Sequence, residues 1–171
     1  MARFAGDYSP DQYIVTIGAP VGPLGLDLSG AIQQLLPAGF SIPSVVNEGF
    51  AAGAFFDLAP DSPSATKTVG ATGEVTRTRM LNRSAVVTVT LGHAARANTL
   101  LTAYLNLWLT GVNLTFPLTA VDKNSAPQTT HTVADAWVQG WPSDSRSDAV
   151  GSYAWVIECA EHVTTLGSYS R

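Results

Sequence analysis

Alternating hydrophobic and polar positions form the most regular pattern of the chain, and they predict β-strands. Residues 84–91 alternate strictly, so every second residue would lie on one apolar face of a strand. That face consists of Ala85, Val87, Val89 and Leu91. Residues 74–80 also alternate, and residues 81–83 between the two segments have the composition of a turn. We therefore predict an antiparallel hairpin with one hydrophobic side.

The hydrophobic spacing changes to three and four residues between positions 96 and 110, which predicts an amphipathic helix that ends at Gly111. The apolar stripe of this helix contains Leu100, Leu101, Tyr104, Leu105, Trp108 and Leu109. We expect Trp108 and the leucines to be buried on the sheet, each contributing about 1.5–3 kcal/mol. A stripe at this spacing is typical of a hydrophobic core and not of a cofactor site.

Three further segments alternate and complete the predicted strands: 112–121, 133–141 and 153–163. Because proline has no amide hydrogen to donate, Pro117 predicts a free edge or a bulge in the first of them. The last segment places four residues on one face, namely Tyr153, Trp155, Ile157 and Cys159.

The first seventy residues are less regular, since they contain seven of the ten prolines. Residues 12–17 read as a strand, and residues 31–36 as one or two helical turns. Residues 40–46, interrupted by Pro43, predict a short edge segment. Residues 57–68 are rich in turn-forming residues and predict an exposed loop.

These elements predict a mainly β fold, an antiparallel β-sandwich or partly open barrel with one flanking α-helix. We expect a single domain over residues 1–171. Within it, a Pro/Gly-rich N-terminal arm with loops would cover about 1–70, and a regular sandwich and helix core about 71–171.

The surface composition predicts an assembly. Only 13% of the residues are charged, 46% are hydrophobic, and threonine occupies many of the outward strand positions. A free monomer with so little charge tends to associate, so we expect copies or partners to cover much of this surface. The net charge of -4 argues against a protein that grips duplex DNA through a basic stripe. An acidic lining beside a nucleic acid remains compatible with it.

The distribution of reactive residues does not predict an active site, a cofactor site or a metal site. The three histidines His93, His131 and His162 lack metal-ligand spacing, and Cys159 is the only cysteine. We expect Cys159 to be a buried side chain in a strand and Asp135 to point outward. Glu158 and His162 would share a face of the last strand, but no nucleophile motif accompanies them. We also expect neither a secretory signal nor a membrane anchor.

The basic residues concentrate in one place: Lys67, Arg77, Arg79 and Arg83, with Glu74 beside them. Arg77 and Arg79 lie two apart on a predicted strand, so both point to the same side and could reach carboxylates across an interface. A solvated strand face is the simpler interpretation. The scarcity of charge elsewhere favours a subunit interface, to which we also assign Asp61 of the neighbouring loop.

Residues 70–84, GATGEVTRTRMLNRS, followed by VVTVTL at 86–91 and the predicted helix, resemble the tail tube proteins of contractile-tailed bacteriophages. The opening strand at 13–17 and its Gly-Pro continuation are also similar to the start of that family. The resemblance extends over about two thirds of the chain and is strongest over 70–109. Residues 30–56 depart from it, being longer and more apolar.

The resemblance implies a structural protein whose copies close into six-membered rings, which stack into a hollow tube through which DNA passes. Its partners would be identical subunits and the tail sheath, baseplate and terminator proteins, in a virion assembled in the host cytoplasm. Glu74, Arg77 and Arg79 would then contact neighbouring subunits, and the segment 57–68 would stack the rings. Two alternatives stay open. One is a related ring-forming component, such as a secretion-system tube, a tail terminator or a capsid decoration protein, and the other is a β-barrel that binds a small apolar ligand.

Overall fold

Ten β-strands and two α-helices make up the part of the chain that the computed structural model describes, residues 10–38, 40–42, 44–46, 49–144 and 151–167. The first half contains β1 (Tyr13–Ile17), α1 (Ser29–Leu35), β2 (Ser44–Val46), β3 (Phe56–Pro60), β4 (Ala65–Val69), β5 (Val75–Arg79) and β6 (Ala85–Gly92). The second half contains α2 (Ala97–Leu109), β7 (Phe116–Asp122), β8 (Thr129–Val138), β9 (Ser152–Cys159) and β10 (His162–Thr165).

Eight strands form one antiparallel sheet in the order β2, β1, β7, β8, β9, β6, β3, with β10 also paired to β8. β10 follows β9 along the same edge of β8, after a break at residues 160–161. β4 and β5 pair only with each other, in a separate two-stranded sheet. The predicted mainly β, antiparallel fold with a flanking helix is confirmed.

The hydrophobic core lies on the inner face of the sheet, under the two helices. The predicted apolar faces of β1, β6 and β9 are all buried, including Val15, Val87 and Ile157. The largest fully buried side chains are Trp155, Tyr104, Phe116, Ile32 and Leu91. Ile32 belongs to α1, so the short helix predicted at 31–36 also contributes to the core.

α2 is attached to the sheet at its first turn. The indole nitrogen of Trp155 donates a hydrogen bond to the side-chain oxygen of Asn98 at 2.9 Å, and the amide of Asn98 donates to the carbonyl of Gly92 at 2.9 Å. Farther along the helix, the hydroxyl of Tyr104 donates to the carbonyl of Gly18 at 2.9 Å. These bonds satisfy polar groups at the helix–sheet boundary and fix the position of the helix.

The predicted burial of the last helical turn is wrong. Trp108 is 44% exposed and Leu109 is 56% exposed, whereas Leu105, one turn earlier, is buried. The periodic pattern predicts the helix correctly, but the rest of the fold covers the side chains of Trp108 and Leu109 only in part. Sequence spacing alone does not show where that covering ends.

The irregularity predicted at Pro117 is present. Phe116 pairs with Ala136 and Leu118 pairs with Val133, so two steps on β7 match three on β8. The extra residue therefore lies in β8, in a bulge beside the proline. Asp135, within this bulge, is exposed as expected. The predicted strand at 112–121 begins only at Phe116, although Leu114 is already buried.

The predicted edge segment at 40–46 is represented by β2, which lies at the end of the sheet order. Pro43 lies outside the described residues. The segments predicted at 133–141 and 153–163 correspond to β8, and to β9 with β10.

Two predictions around the basic cluster are wrong. Residues 57–68 are not a loop, because β3 and β4 occupy most of them and only residues 61–64 separate the strands. Residues 81–83 are not the turn of a hairpin between β5 and β6. Instead, β3 pairs with β6 and β4 pairs with β5, so β5 and β6 are consecutive parts of one arm of a long hairpin.

Candidate assembly surface

The outer part of this long hairpin, residues 65–79, is called here the projecting hairpin. Every residue of β4 and β5 is exposed, although both strands are regularly paired. A two-stranded sheet without a covered face is at best marginally stable in water. A second protein surface could supply a covering that the described residues do not.

The tip of the projecting hairpin is a tight turn over residues 70–74. The amide of Gly70 donates to the carbonyl of Glu74 at 2.8 Å, and the amide of Gly73 donates to the carbonyl of Gly70 at 3.0 Å. Gly73 has a φ of 85°, which only glycine adopts without steric cost. Glu74 therefore lies at the tip, exposed to solvent.

One face of the projecting hairpin carries three positive charges. Lys67 lies directly opposite Arg77, and Ala65 lies opposite Arg79. Because side chains alternate between the faces of a strand, all three basic residues share one face, which we call the cationic face. Like charges placed directly opposite each other destabilise a strand pair. Among the described residues, none of the three has an ion-pair partner, so the cationic face is suited to an external anion.

The opposite face of the projecting hairpin is neutral. Thr66 pairs with Thr78, and Thr68 pairs with Thr76. Threonine suits a pleated strand because of its branched Cβ, and its hydroxyl keeps the face polar without charge. The two faces of the projecting hairpin are therefore chemically distinct.

The base of the projecting hairpin is held by hydrogen bonds across residues 61–64 and 80–84. Asn82 donates to the hydroxyl of Ser62 at 2.9 Å, and the amide of Met80 donates to the carbonyl of Ser64 at 3.0 Å. The hydroxyl of Ser84 donates to the carboxylate of Asp61. These bonds join the two arms below the exposed part and keep it in a fixed relation to the sheet.

Arg83 is also engaged at this base. Its guanidinium donates to the carboxylate of Glu161 at 2.6 Å, and its carbonyl accepts from the amide of His162 at 3.0 Å. The structure thus brings all six predicted interface residues onto or beside the long hairpin. Asp61 and Arg83 form bonds to other residues of the same chain. Lys67, Glu74, Arg77 and Arg79 are exposed to solvent.

Two histidines lie on the inner side of the sheet near this base. His131 contacts the ring of Phe56 at 5.6 Å between centroids, and its Nδ1 lies 3.0 Å from the hydroxyl of Thr164. Burial, and secondly the neighbouring His162, lower the pKa of His131. His162 donates through Nδ1 to the carbonyl of Arg83 at 2.6 Å.

The predicted shared face of Glu158 and His162 is wrong. His162 pairs with the buried Val133 and so lies on the inner face, whereas Glu158 pairs with Val86 on the outer face. The break at residues 160–161 shifts the alternation of the strand by one position. Glu158 instead accepts a hydrogen bond from Gln139 at 3.0 Å.

Other reactive groups are placed as ordinary structural residues. Cys159 is buried in β9 as expected, and burial raises the pKa of its thiol. In the described part of the chain, no three residues of the types His, Cys, Asp and Glu lie close enough to hold a metal ion. No helix in the same residues is long and apolar enough to cross a membrane.

The glycines of residues 18–30 indicate a loop, but sequence reasoning did not single out the turn around Leu24 within it as an exposed feature. Val21 forms bridges to Asp27 and to Thr115, so residues 21–27 make a compact turn beside the start of β7. Its composition, Pro23-Leu24-Gly25, is a turn signal that was available in the sequence. The positive φ of Leu24 could not be read from that signal.

Comparison with solved structures shows the same fold elsewhere, although no protein-family model and no curated protein matches this chain. The anti-feeding prophage cap, described as a tube-terminating cap, matches with a TM-score of 0.54 at 15% identity, over 98% of this chain and 100% of that one. A chain from the sheath–tube complex of an extracellular contractile injection system, in the extended state, matches with a TM-score of 0.50 at 14% identity. That match covers 95% of this chain and 93% of the other. The likeness at these identities establishes a common fold.

Proposed function

We propose that this chain is a structural tube subunit of a contractile-tail-like particle and that it works by self-association. The observation that carries this proposal is the cationic face of the projecting hairpin, where Lys67 and Arg77 oppose each other and no described residue forms an ion pair with either. Such a face is costly in a free monomer and favourable against an acidic neighbour.

A second copy of the chain provides an acidic neighbour. Three of the nine basic residues lie on the cationic face, yet the net charge of the whole chain is -4. The rest of the molecule therefore carries a net negative charge. Bidentate bonds from Arg77 and Arg79 to carboxylates of the next copy would fix the orientation of the contact as well as its strength.

The outer face of the main sheet supplies a different kind of surface. β6 presents Val86, Thr88 and Thr90 outward, and β9 places Val156 opposite Thr88. Two carboxylates lie on the same face, with Glu158 opposite Val86 and Asp57 opposite Thr88, so a neighbouring copy that covers this face would have to pair them. Contacts of this face within a ring, together with the projecting hairpin between rings, would give a stacked assembly.

The fold shared with tube-associated chains of contractile systems supports this proposal. In its full form, six copies make a ring, and the stacked rings make a conduit through which DNA passes without specific binding. Sheath, baseplate and terminator proteins would complete the particle, as a virion tail assembled in the host cytoplasm. The subunit performs no catalysis and needs no cofactor in this proposal.

A tube-terminating component is the second candidate, because the anti-feeding prophage cap matches along its whole length. A terminator stacks on a tube through one side only, whereas a tube subunit stacks through both.

A ligand-binding barrel is less well supported. The inner face is filled by side chains such as Trp155, Tyr104 and Phe116, which an internal ligand would have to displace.

Negative-stain electron microscopy of the purified, concentrated protein tests this function. Stacked rings or tubes are the expected result for a tube subunit, and single rings that do not lengthen would support a terminator. Dispersed monomers at every concentration would contradict both.

A further inference from the structure

Leu24 combines two unfavourable properties in the free chain. Its backbone has φ 60° and ψ 22°, a left-handed conformation that is sterically unfavourable for a leucine. Its side chain is fully exposed to solvent. A binding partner that covers the side chain would offset part of the cost of this strained, exposed residue.

The loop of residues 21–27, called here the Leu24 loop, is held firmly at its base. The amide of Gly22 donates to the carbonyl of Leu26 at 2.7 Å, and the amide of Val21 donates to the carbonyl of Thr115 at 2.6 Å. Leu26, beside the tip, is itself 61% exposed. The loop is therefore a preorganised apolar projection, which loses little conformational entropy when it binds.

Asp27 adds a negative charge at the foot of this projection. Its carboxylate accepts a hydrogen bond from the amide of Ser29 at 2.8 Å, which lowers the pKa of Asp27. The carboxylate is thus ionised at neutral pH. The Leu24 loop presents an apolar tip with an anion behind it.

A groove with matching properties lies on another part of the molecule. It has a volume of about 660 Å³ and runs between β10 and the base of the projecting hairpin. Its lining includes the apolar residues Pro60, Pro63, Met80 and Val163 among serine, asparagine, threonine and histidine side chains, with the cations Arg79 and Arg83, of which Arg83 is already paired with Glu161. We call it the β10 groove. Arg79 also belongs to the cationic face, so the groove is continuous with the surface already assigned to self-association.

The Leu24 loop and the β10 groove lie on different elements of the sheet. The loop is bonded beside the start of β7, whereas the groove lies among β3, β5 and β10. A contact between two different surfaces of identical chains is heterologous, and its repetition produces a closed ring or a filament. A contact between the loop of one copy and the groove of the next would be of this heterologous kind.

We propose that the Leu24 loop of one copy inserts into the β10 groove of the next, with Leu24 against Met80 and Val163. Asp27 of the inserted loop then faces Arg79. This inference rests on the proposed self-association, and it identifies the two surfaces that meet. Insertion would cover the exposed leucines and supply an anion to a cation of the projecting hairpin.

Two variants test the contact, each of which disables one of the two surfaces. Leu24→Asp removes the apolar tip, and aspartate tolerates the left-handed conformation, so the loop can keep its shape. Val163→Glu places a charge in the groove that repels Asp27. Each variant alone should associate at least about tenfold more weakly than the wild type. In an equimolar mixture, the intact loop of Val163→Glu binds the intact groove of Leu24→Asp, so association returns and two-chain species appear.

Sedimentation velocity measures this outcome, and Leu35→Asp is the matched control. Leu35 is another exposed leucine, 59% exposed on α1 and outside the loop and the groove, and its substitution should leave association unchanged. Circular dichroism checks that each variant is folded. The insertion would be refuted if the wild type assembles and Leu24→Asp associates as strongly. It would also be refuted if the mixture of the two variants stays monomeric. Either result would leave the proposed function intact. A wild type that never associates would refute the proposed function itself.

A charge exchange gives an independent readout of the same contact. Asp27→Arg should weaken association through repulsion by Arg79, and the double variant Asp27→Arg with Arg79→Asp should restore it. Restoration supports the pairing, and failure of the folded double variant to recover contradicts it.

Discussion

Lys67 and Arg77 lie directly opposite each other across the ladder between β4 and β5. Their repulsion is not relieved by an ion pair among the described residues, and both side chains lie in a two-stranded sheet whose residues are all exposed. The projecting hairpin is therefore better suited to an assembly than to a free monomer. Its stability and its association should respond in opposite directions to the same substitution.

Arg77→Glu separates these two responses. The new carboxylate would face Lys67 and convert a repulsive pair into an attractive one, so monomer stability should be unchanged or higher by no more than about 1 kcal/mol. Tube growth should stop, because an acidic neighbour now meets a negative charge. Thermal unfolding and negative-stain microscopy measure the two effects.

Thr78→Glu is the control for this variant. It introduces the same side chain one residue away, on the threonine face. We expect it to retain assembly, which would show that the cationic face makes the contact. Intact tubes of Arg77→Glu would refute the assignment.

Assembly should weaken as ionic strength rises. Raising the salt concentration from about 0.1 M to about 1 M shortens the screening length from about 10 Å to about 3 Å. Contacts between the cationic face and acidic groups would lose strength over that range, whereas purely apolar contacts would not. Light scattering across a salt series measures the effect, and assembly that strengthens steadily with salt would contradict an ionic contact.

His131 should make stability depend on pH. Because its pKa in the folded protein lies below the ordinary value of 6.5, the unfolded chain binds a proton more readily than the folded chain as the pH falls through that value. Its contribution therefore reduces stability on acidification below about pH 6.5, and has no effect well above it.

The variant His131→Gln tests this contribution. It should flatten the decline in the free energy of unfolding between pH 7 and the acid range, since glutamine does not titrate. Urea unfolding at several pH values gives the comparison with the wild type. An equally steep decline in the variant would exclude His131 as the source.

Two leucines one turn apart in α2 should differ sharply when replaced by alanine. Leu105 is buried, so Leu105→Ala should cost about 2–5 kcal/mol through lost burial and a cavity. Leu109 is 56% exposed, and Leu109→Ala should stay within about 0.5 kcal/mol. Denaturant unfolding provides both values, and equal costs would show that Leu109 is buried in solution.

Local periodicity was sufficient to predict much of this fold. The alternation in β6 and β9 identifies the buried faces correctly, because an inner face selects apolar residues at every second position. Pro117 marks the position of the bulge. Its missing amide hydrogen is known from the residue type alone and needs no knowledge of the strand pairing. The basic residues of the candidate site are likewise visible in the sequence.

Long-range relations were not predictable in this way. The alternation in β5 is compatible with pairing to either β4 or β6, and the choice depends on how β3 and β6 meet in the sheet. Glu158 and His162 lie on opposite faces because the strand is interrupted at residues 160–161, and no turn signal in the sequence marks that interruption. The left-handed backbone of Leu24 lies in a turn closed by the bond from Gly22 to Leu26, and no sequence pattern assigns that conformation to a leucine.

Sedimentation velocity of the wild-type protein over a concentration series tests self-association most directly. The structure predicts that monomers give way to discrete ring-sized and larger species as concentration rises. A single monomeric species up to the solubility limit would contradict self-association, and with it the roles assigned to the projecting hairpin and the Leu24 loop.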